Sequence, residues 1–421
     1  MKNIKSKKMK KNILIILLLF MQNYSFTQKY VAFARVDDNW SLISLQGEKV
    51  INKEFSHVYS PSCDYWSPSP SACIIHLPND NVFRFKENNR YGYIDIKGNI
   101  IIKPQFIRAE DFHEGFAVAG NIRSLGYINK SGNWIIDEIF DEAYEFSEGL
   151  ALVKYKSKWN FVDTNGVFLF KDGINNAFLF RDGIARACVN SKWGLINKKG
   201  QWIVFPNYEN LKKISEGKIA FSEKNKWGFI DISGDTISPA LFDDINDFSN
   251  GMAAVKKNGK WGFIDNTGKL VVDCKYDKIR DFAEDVAVVF KNKISGIIDK
   301  NGNTVGSYNY ADIKSCKNGF LRIRMNDLWG YLKNDGSVFI EPKYTGVEDF
   351  SEGFARVKSG NQWIFIDTNG IIQFEKLFDS AHDFINGFAR IKIREKWGLI
   401  NNKGEIVIKP LYNNISDVFI L

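Results

Sequence analysis

The chain has 421 residues, 44% hydrophobic and 25% charged, a balance that excludes a disordered tail and suits two or three ordinary domains or one repeat array. Nine prolines exclude a proline-rich linker, and four histidines with five cysteines leave little for a metal centre or a histidine-based catalytic site. Aromatics at 14% with 33 glycines point to many short strands joined by tight turns, and the formal charge of +8 is gathered at one end.

That end comes first. Lys2, Lys5, Lys7, Lys8, Lys10 and Lys11 precede the apolar run Ile13 to Phe20, and Ser25-Phe26-Thr27 follows. A basic head, a short apolar stretch and small residues predict a signal peptide over 1–27, cleaved near Thr27 or Gln28. An uncleaved anchor is the weaker reading, because a membrane span needs roughly 20 apolar residues. No cysteine follows the run, so no lipid anchor is expected. Six of the eight charges leave with the peptide, and the nearly neutral remainder gives no electrostatic case for nucleic acid. The expected location is periplasmic, extracellular or cell-surface, with no membrane span in the mature chain.

Residues 28–58 read as a partial unit marked by Ala32, Ala34, Trp40, Gly47 and Phe55. An insertion follows, read as a loop over 59–80, with Pro61, Pro68 and Pro70. Cys63 and Cys73 inside it are candidates for a disulfide in an oxidising compartment, which would add ~2–3 kcal/mol. Tyr59, Tyr65 and Trp66 make this loop the candidate for individual binding, with a capping loop over the first unit as the alternative.

From 81 to 421 the chain is read as ten tandem units of one 34-residue period. One column carries Tyr91, Leu125, Trp159, Trp193, Trp227, Trp261, Ser295, Trp329, Trp363 and Trp397. Seven residues after each stands Gly98, Gly132, Gly166, Gly200, Gly234, Gly268, Gly302, Gly336, Gly370 or Gly404. A fixed period of this size means stacked supersecondary units. Within a unit an Ala-x-Val stretch alternates like a half-buried strand, and a polar turn such as Asn258-Gly259 reverses it. Trp-Gly-Phe-Ile-Asp returns, an Asp-x-x-Gly turn follows, and a third strand such as 269–273 leads to a Tyr segment and a Glu-Gly turn. Pro104, Pro206, Pro342 and Pro410 fit a strand end or edge.

The expected architecture is all-β: hairpin repeats stacked as an open superhelix, which grows by nearest-neighbour contacts without a closure constraint. A propeller-like closed ring is the alternative. The first Ala-x-Ala strand stands where it could complete the last unit, but eleven blades exceed the usual 4–8.

Each recurring column has a bland reading and a sharp one. The tryptophans either pack against the next unit, the favoured reading, or stack on sugar rings. Sugar recognition needs several of them exposed; a packing role needs them buried. The Asp or Asn four residues later reads as an Asx turn, with stacked calcium sites as the rival. The Glu-Gly column is read in the same way, as turn chemistry. Cys188, Cys274 and Cys316 occupy unrelated columns and read as buried thiols. No nucleophile, metal or phosphate-loop motif is present, so no enzyme, cofactor or metal is expected.

The Lys-Trp-Gly-Phe-Ile-Asp-x-x-Gly core, the Pro-x-Tyr segment and the Phe-Ser-Glu-Gly-Phe-Ala-x-Val tail of residues 343–357 resemble the WG-containing repeat family across 30–421. The resemblance implies a bacterial, often exported, β-rich repeat protein without an assigned catalytic residue. Tyr91, Leu125 and Ser295 depart from its tryptophan, and Asn160 and Ile364 from its glycine, so those units are expected to pack less regularly. The Tyr-Ser-Phe-Thr-Gln ending of the leader resembles exported proteins of the Bacteroidetes. The function expected is a secreted or periplasmic non-catalytic scaffold for an unknown protein or peptide; the alternative is cell-envelope glycan binding through the repeat aromatics.

Overall fold

Asp244–Ile245, Met252–Lys257, Lys260–Asp265 and Leu270–Tyr276 pair antiparallel, in that order, as one four-stranded sheet. Its hairpin turns on Asn258 and Gly259, both with positive φ, the type I′ geometry that matches strand twist. The last strand shifts register opposite Trp261 and Phe263. There the backbone passes so close that a Cβ on Gly262 would lie 2.3 Å from the Val272 carbonyl oxygen. The Trp-Gly pair is therefore a packing requirement of the bulged ladder.

This computed structural model describes residues 30–37, 39–50, 82–95, 99–306 and 310–420. Among them are eleven such sheets, eight of four strands and three of three, and no helix. The all-β expectation holds. The expected leader, the Cys63 and Cys73 pair and the loop with Tyr59, Tyr65 and Trp66 fall outside the described residues, as does Gly98.

Each sheet buries both faces against its neighbours. Phe263 of one sheet meets Phe282 of the next with ring centroids 4.8 Å apart, and Tyr93–Phe112 and Tyr127–Phe146 repeat the pair at the same distance. The small column before the tryptophan, Ala253 or Ala287 in these units, lets the sheets approach.

The open superhelix is not what forms. The first strand, Tyr30–Val36, pairs with Asn414–Ile415 and with Phe419–Ile420 at the other end of the chain. The Phe33 N–H donates to Ser416 Oγ at 2.9 Å and the Ser416 N–H to the Phe33 carbonyl at 2.8 Å. Ala32, Ala34 and Ile43 pack with Leu399, Ile408, Ile415 and Val418. An open row of eleven sheets has ten interfaces, whereas this chain has eleven apolar cores, one between every neighbouring pair. It is an eleven-bladed β-propeller ring. Nearest-neighbour stacking alone leaves one apolar face bare at each end, and closure buries both.

Candidate interaction surfaces

The tryptophan column is neither buried nor exposed. Trp40, Trp159, Trp193, Trp227, Trp261, Trp329, Trp363 and Trp397, and Tyr91 with them, are all half-buried. One side of each rests on an inter-blade core, as Trp261 does beside Phe263 and Val272. A cation or a second ring covers the other in most blades. Lys154, Lys212 and Lys256 place their Nζ 5.4, 4.9 and 5.6 Å from the centroids of Trp159, Trp227 and Trp261. Arg356 lies 5.3 Å from that of Trp363, Phe178 packs on Trp193 at 5.3 Å and His382 on Trp397 at 5.2 Å. Leu125 and Ser295, which replace tryptophan, are buried. In these blades a cation or a ring partly covers the face that sugar stacking would use.

The Asp column closes its own turn. Asp265 Oδ1 accepts from the N–H groups of Thr267 and Lys269 at 2.9 and 3.1 Å, and the bond from the Thr267 hydroxyl leads in holding its carboxyl below the usual range. Asp163, Asp231, Asp299 and Asp367 repeat the pattern. Gly132, Gly166, Gly200, Gly234, Gly268, Gly302, Gly370 and Gly404 end such turns with positive φ, as does Gly336, whose turn begins at Lys333 and takes its side-chain bond from Asp335 instead. Among the described residues no group of His, Cys, Asp or Glu is placed to hold a metal ion.

The Glu-Gly column does more than turn the chain. Glu114 reaches into the next blade and accepts from the N–H groups of Glu148 and Gly149 at 2.7 and 2.8 Å. Glu352 does the same to Asn386 and Gly387 at 2.7 and 2.8 Å. Glu148, Glu216 and Glu284 likewise staple the turn that follows.

An arginine column escaped the sequence reading. Arg84, Arg322, Arg356 and Arg390 reach across a blade interface to Asp111, Asp349, Asp383 and Asp417, with N···O distances of 3.3, 2.8, 2.7 and 2.6 Å. Arg186 holds the same position, but Lys213 stands where the acid should be. Its guanidinium donates to the Leu211 carbonyl at 2.8 Å and lies over the Phe178 ring, 3.7 Å from its centroid, and burial pulls its pKa down to about 10. The missed signal was a second period: Arg seven residues before the tryptophan column and Asp twenty after it. Cys188 and Cys316 are buried and Cys274 half-buried; burial, with Glu284 at 3.3 Å, pushes the Cys316 thiol up to about 12.

Two kinds of surface remain. The last strand of each four-stranded blade is a free sheet edge, except in the blade where the chain ends meet, and it exposes apolar side chains. Phe205 is 67% exposed, Leu411 64%, Leu377 58% and Leu241 53%. The ring also has two faces, because turns alternate between strand ends. One carries the hairpins just before the tryptophans and the connections between blades; the other carries the Asx and Glu-Gly turns. Beside the closure strand a groove of about 370 Å³ is lined by residues including Asp37, Lys49 and Tyr412.

The family model for the WG containing repeat matches residues 91–119, 126–159, 161–193, 193–227, 227–261, 261–293, 296–329, 329–363, 365–397 and 397–418. No curated protein matches the chain. Among solved structures, a eukaryotic initiation factor is similar at 12% identity and TM-score 0.43, over 84% of this chain and 97% of that one. BamB from Moraxella catarrhalis is similar at 10% identity and TM-score 0.29, over 70% and 93%. The extracellular domain of a hybrid two-component system from B. thetaiotaomicron is similar at 9% and 0.24, over 89% and 61%. No property of these proteins is carried to this chain. Among the described residues no helix is long and apolar enough to cross a membrane.

Proposed function

The chain belongs to the WG containing repeat family, and from that premise we propose that it is an exported, non-catalytic ring scaffold binding protein or peptide segments along its free strand edges. The observation that carries the reading is the exposed apolar row on those edges, led by Phe205, Leu241, Leu377 and Leu411. Side chains of this kind recur from blade to blade on strands whose outer backbone groups have no ladder partner, the arrangement that extended segments recognise. Edges bearing Pro104, Pro206, Pro239, Pro342 or Pro410 resist full strand addition, so binding there rests on side chains. The edges Trp134–Phe140, Leu270–Tyr276 and Ile372–Phe378 have no proline and are the better templates.

The repeating polar columns support the non-catalytic part, since their groups are engaged in turns and in blade-to-blade bonds. The leader over 1–27 supports export. Glycan binding through the aromatics is the rival, and the covered tryptophan rings weigh against it.

Selection of a random peptide library on the immobilised protein tests the reading. Alternating apolar peptides are expected to be enriched, and Leu377→Ser with Leu411→Ser is expected to weaken them about tenfold, or ~1.4 kcal/mol. Failure to enrich any peptide, together with an envelope glycan that shields the tryptophans from acrylamide, would replace it with the glycan reading.

A further inference from the structure

The chain is nearly neutral without its leader, yet its charge is sorted between the two faces of the ring. On the hairpin face, the five residues before each tryptophan-column position and the three-residue blade connections hold 22 Lys and Arg against 13 Asp and Glu among the described residues. On the opposite face, the Asx and Glu-Gly turns hold 24 acids against 10 bases; four of those acids, Asp111, Asp349, Asp383 and Asp417, are paired with strand arginines across blade interfaces, which leaves 20. Exposed Lys156, Lys192, Lys224 and Lys257 represent the first; exposed Glu114, Asp182, Asp235 and Glu405 represent the second. Composition hides this sorting because the two excesses nearly cancel.

We propose that copies of this chain stack head to tail, the basic face of one ring on the acidic face of the next. Both faces repeat once per blade, so a rotation that aligns one basic turn with one acidic turn brings the other blades close to register. No other occupant has its chemistry so fully specified by the chain itself. The contact is heterologous, joining two different patches, so it does not close after two copies and each ring keeps one face free for another. A single exposed ion pair contributes little, but a ring of them adds up and is screened strongly by salt.

Sedimentation velocity of the purified protein at about 20 mM and about 500 mM salt tests this, since the Debye length falls several-fold between them. The mean mass is expected at least to double at low salt and to return to that of one chain at high salt. A basic-face variant, Lys156→Glu with Lys192→Glu, Lys224→Glu and Lys257→Glu, is expected to remain single at low salt. So is an acidic-face variant, Asp182→Lys with Asp235→Lys and Glu405→Lys. Mixed in equal amounts, the two variants are complementary at both faces and are expected to stack alternately, recovering the association that each has lost alone. Circular dichroism and urea midpoints like those of the parent show that both variants fold. A parent chain that stays single at low salt overturns the proposal, as does association that survives either reversal. Binding of poly-glutamate to the basic face without any self-association would also overturn it, in favour of an acidic polymer as occupant.

Discussion

At the level of single residues the glycines separate two demands that a sequence column merges. Gly353 turns the chain at φ +86° with nothing within 4 Å of a would-be Cβ, whereas Gly268 at φ +83° would put its Cβ 2.1 Å from the Ile237 carbonyl of the preceding blade. Gly353→Ala is expected to cost only the left-handed backbone, about 1–2 kcal/mol. Gly268→Ala must also push two blades apart and is expected to cost ~3 kcal/mol or more in urea unfolding. His382 gives a pH prediction. Its imidazole is half-buried on Trp397 with Arg390 and Arg356 near it, and desolvation first, then those charges, push its pKa down to about 3. The unfolded chain takes up that proton near pH 6.5, the folded chain not until about 3, so stability drains away as pH falls through that window. By pH 5 the loss is expected to reach about 1–2 kcal/mol. His382→Gln should flatten the urea midpoint between pH 7 and 5; an unchanged slope would assign it elsewhere. None of this was legible in the sequence, where His382 stands in no motif.

Strands and turns were the most legible layer, because each repeat states them again. The Ala-x-Val strand, the Trp-Gly return and both turns lie where the spacing puts them, and Asn-Gly at 258–259 marks the type I′ hairpin. Other hairpins hold the same backbone with poorer residues: Asn292 and Lys293 sit at φ 52° and 66°. Lys293→Gly recreates Asn-Gly and is expected to raise stability by about 0.5–1 kcal/mol in thermal or urea unfolding. The departures from the repeat had uneven results. Asn160, in place of glycine, bonds its own amide to the Phe170 carbonyl at 2.6 Å, and its sheet has three strands. Ser295 likewise donates to the Tyr310 carbonyl at 2.8 Å in a three-stranded sheet. Ile364 keeps its fourth strand, but Phe374 opposite takes φ +54°, strained for an aromatic residue. Units with Tyr91 and Leu125 pair their last strand normally. A column shows that a residue has changed; whether a side chain can take over the lost backbone bond depends on atoms that the repeat does not encode.

For the whole molecule, the phase of the chain ends pointed to closure, with Ala32 and Ala34 placed where the next unit would need them. The open array was favoured because nearest-neighbour stacking needs no closure and because eleven blades exceed the usual number, and neither argument weighs what an unclosed end exposes. The inter-blade ion pairs allow closure to be tested in solution. In a ring the contact between last and first blades is like any other, and Asp417 is buried there with Arg390 at 2.6 Å. Burial raises its carboxyl pKa, as it does that of Asp111 at an interior interface beside Arg84. Removing one partner from such a pair strands a buried guanidinium, a loss of about 3–5 kcal/mol in a well-covered site. Asp417→Ala and Asp111→Ala are therefore expected to lower stability by similar amounts, each within ~1 kcal/mol of the other in urea. Replacing both partners by Arg390→Met and Asp417→Leu should recover most of the loss. In an open row Asp417 would be a solvated carboxylate on the terminal strand, and its removal would cost no more than a surface charge, ~0.5 kcal/mol. A silent Asp417→Ala beside a damaging Asp111→Ala would mean that the ring opens in solution, and equal losses require the first strand to be seated against the last blade.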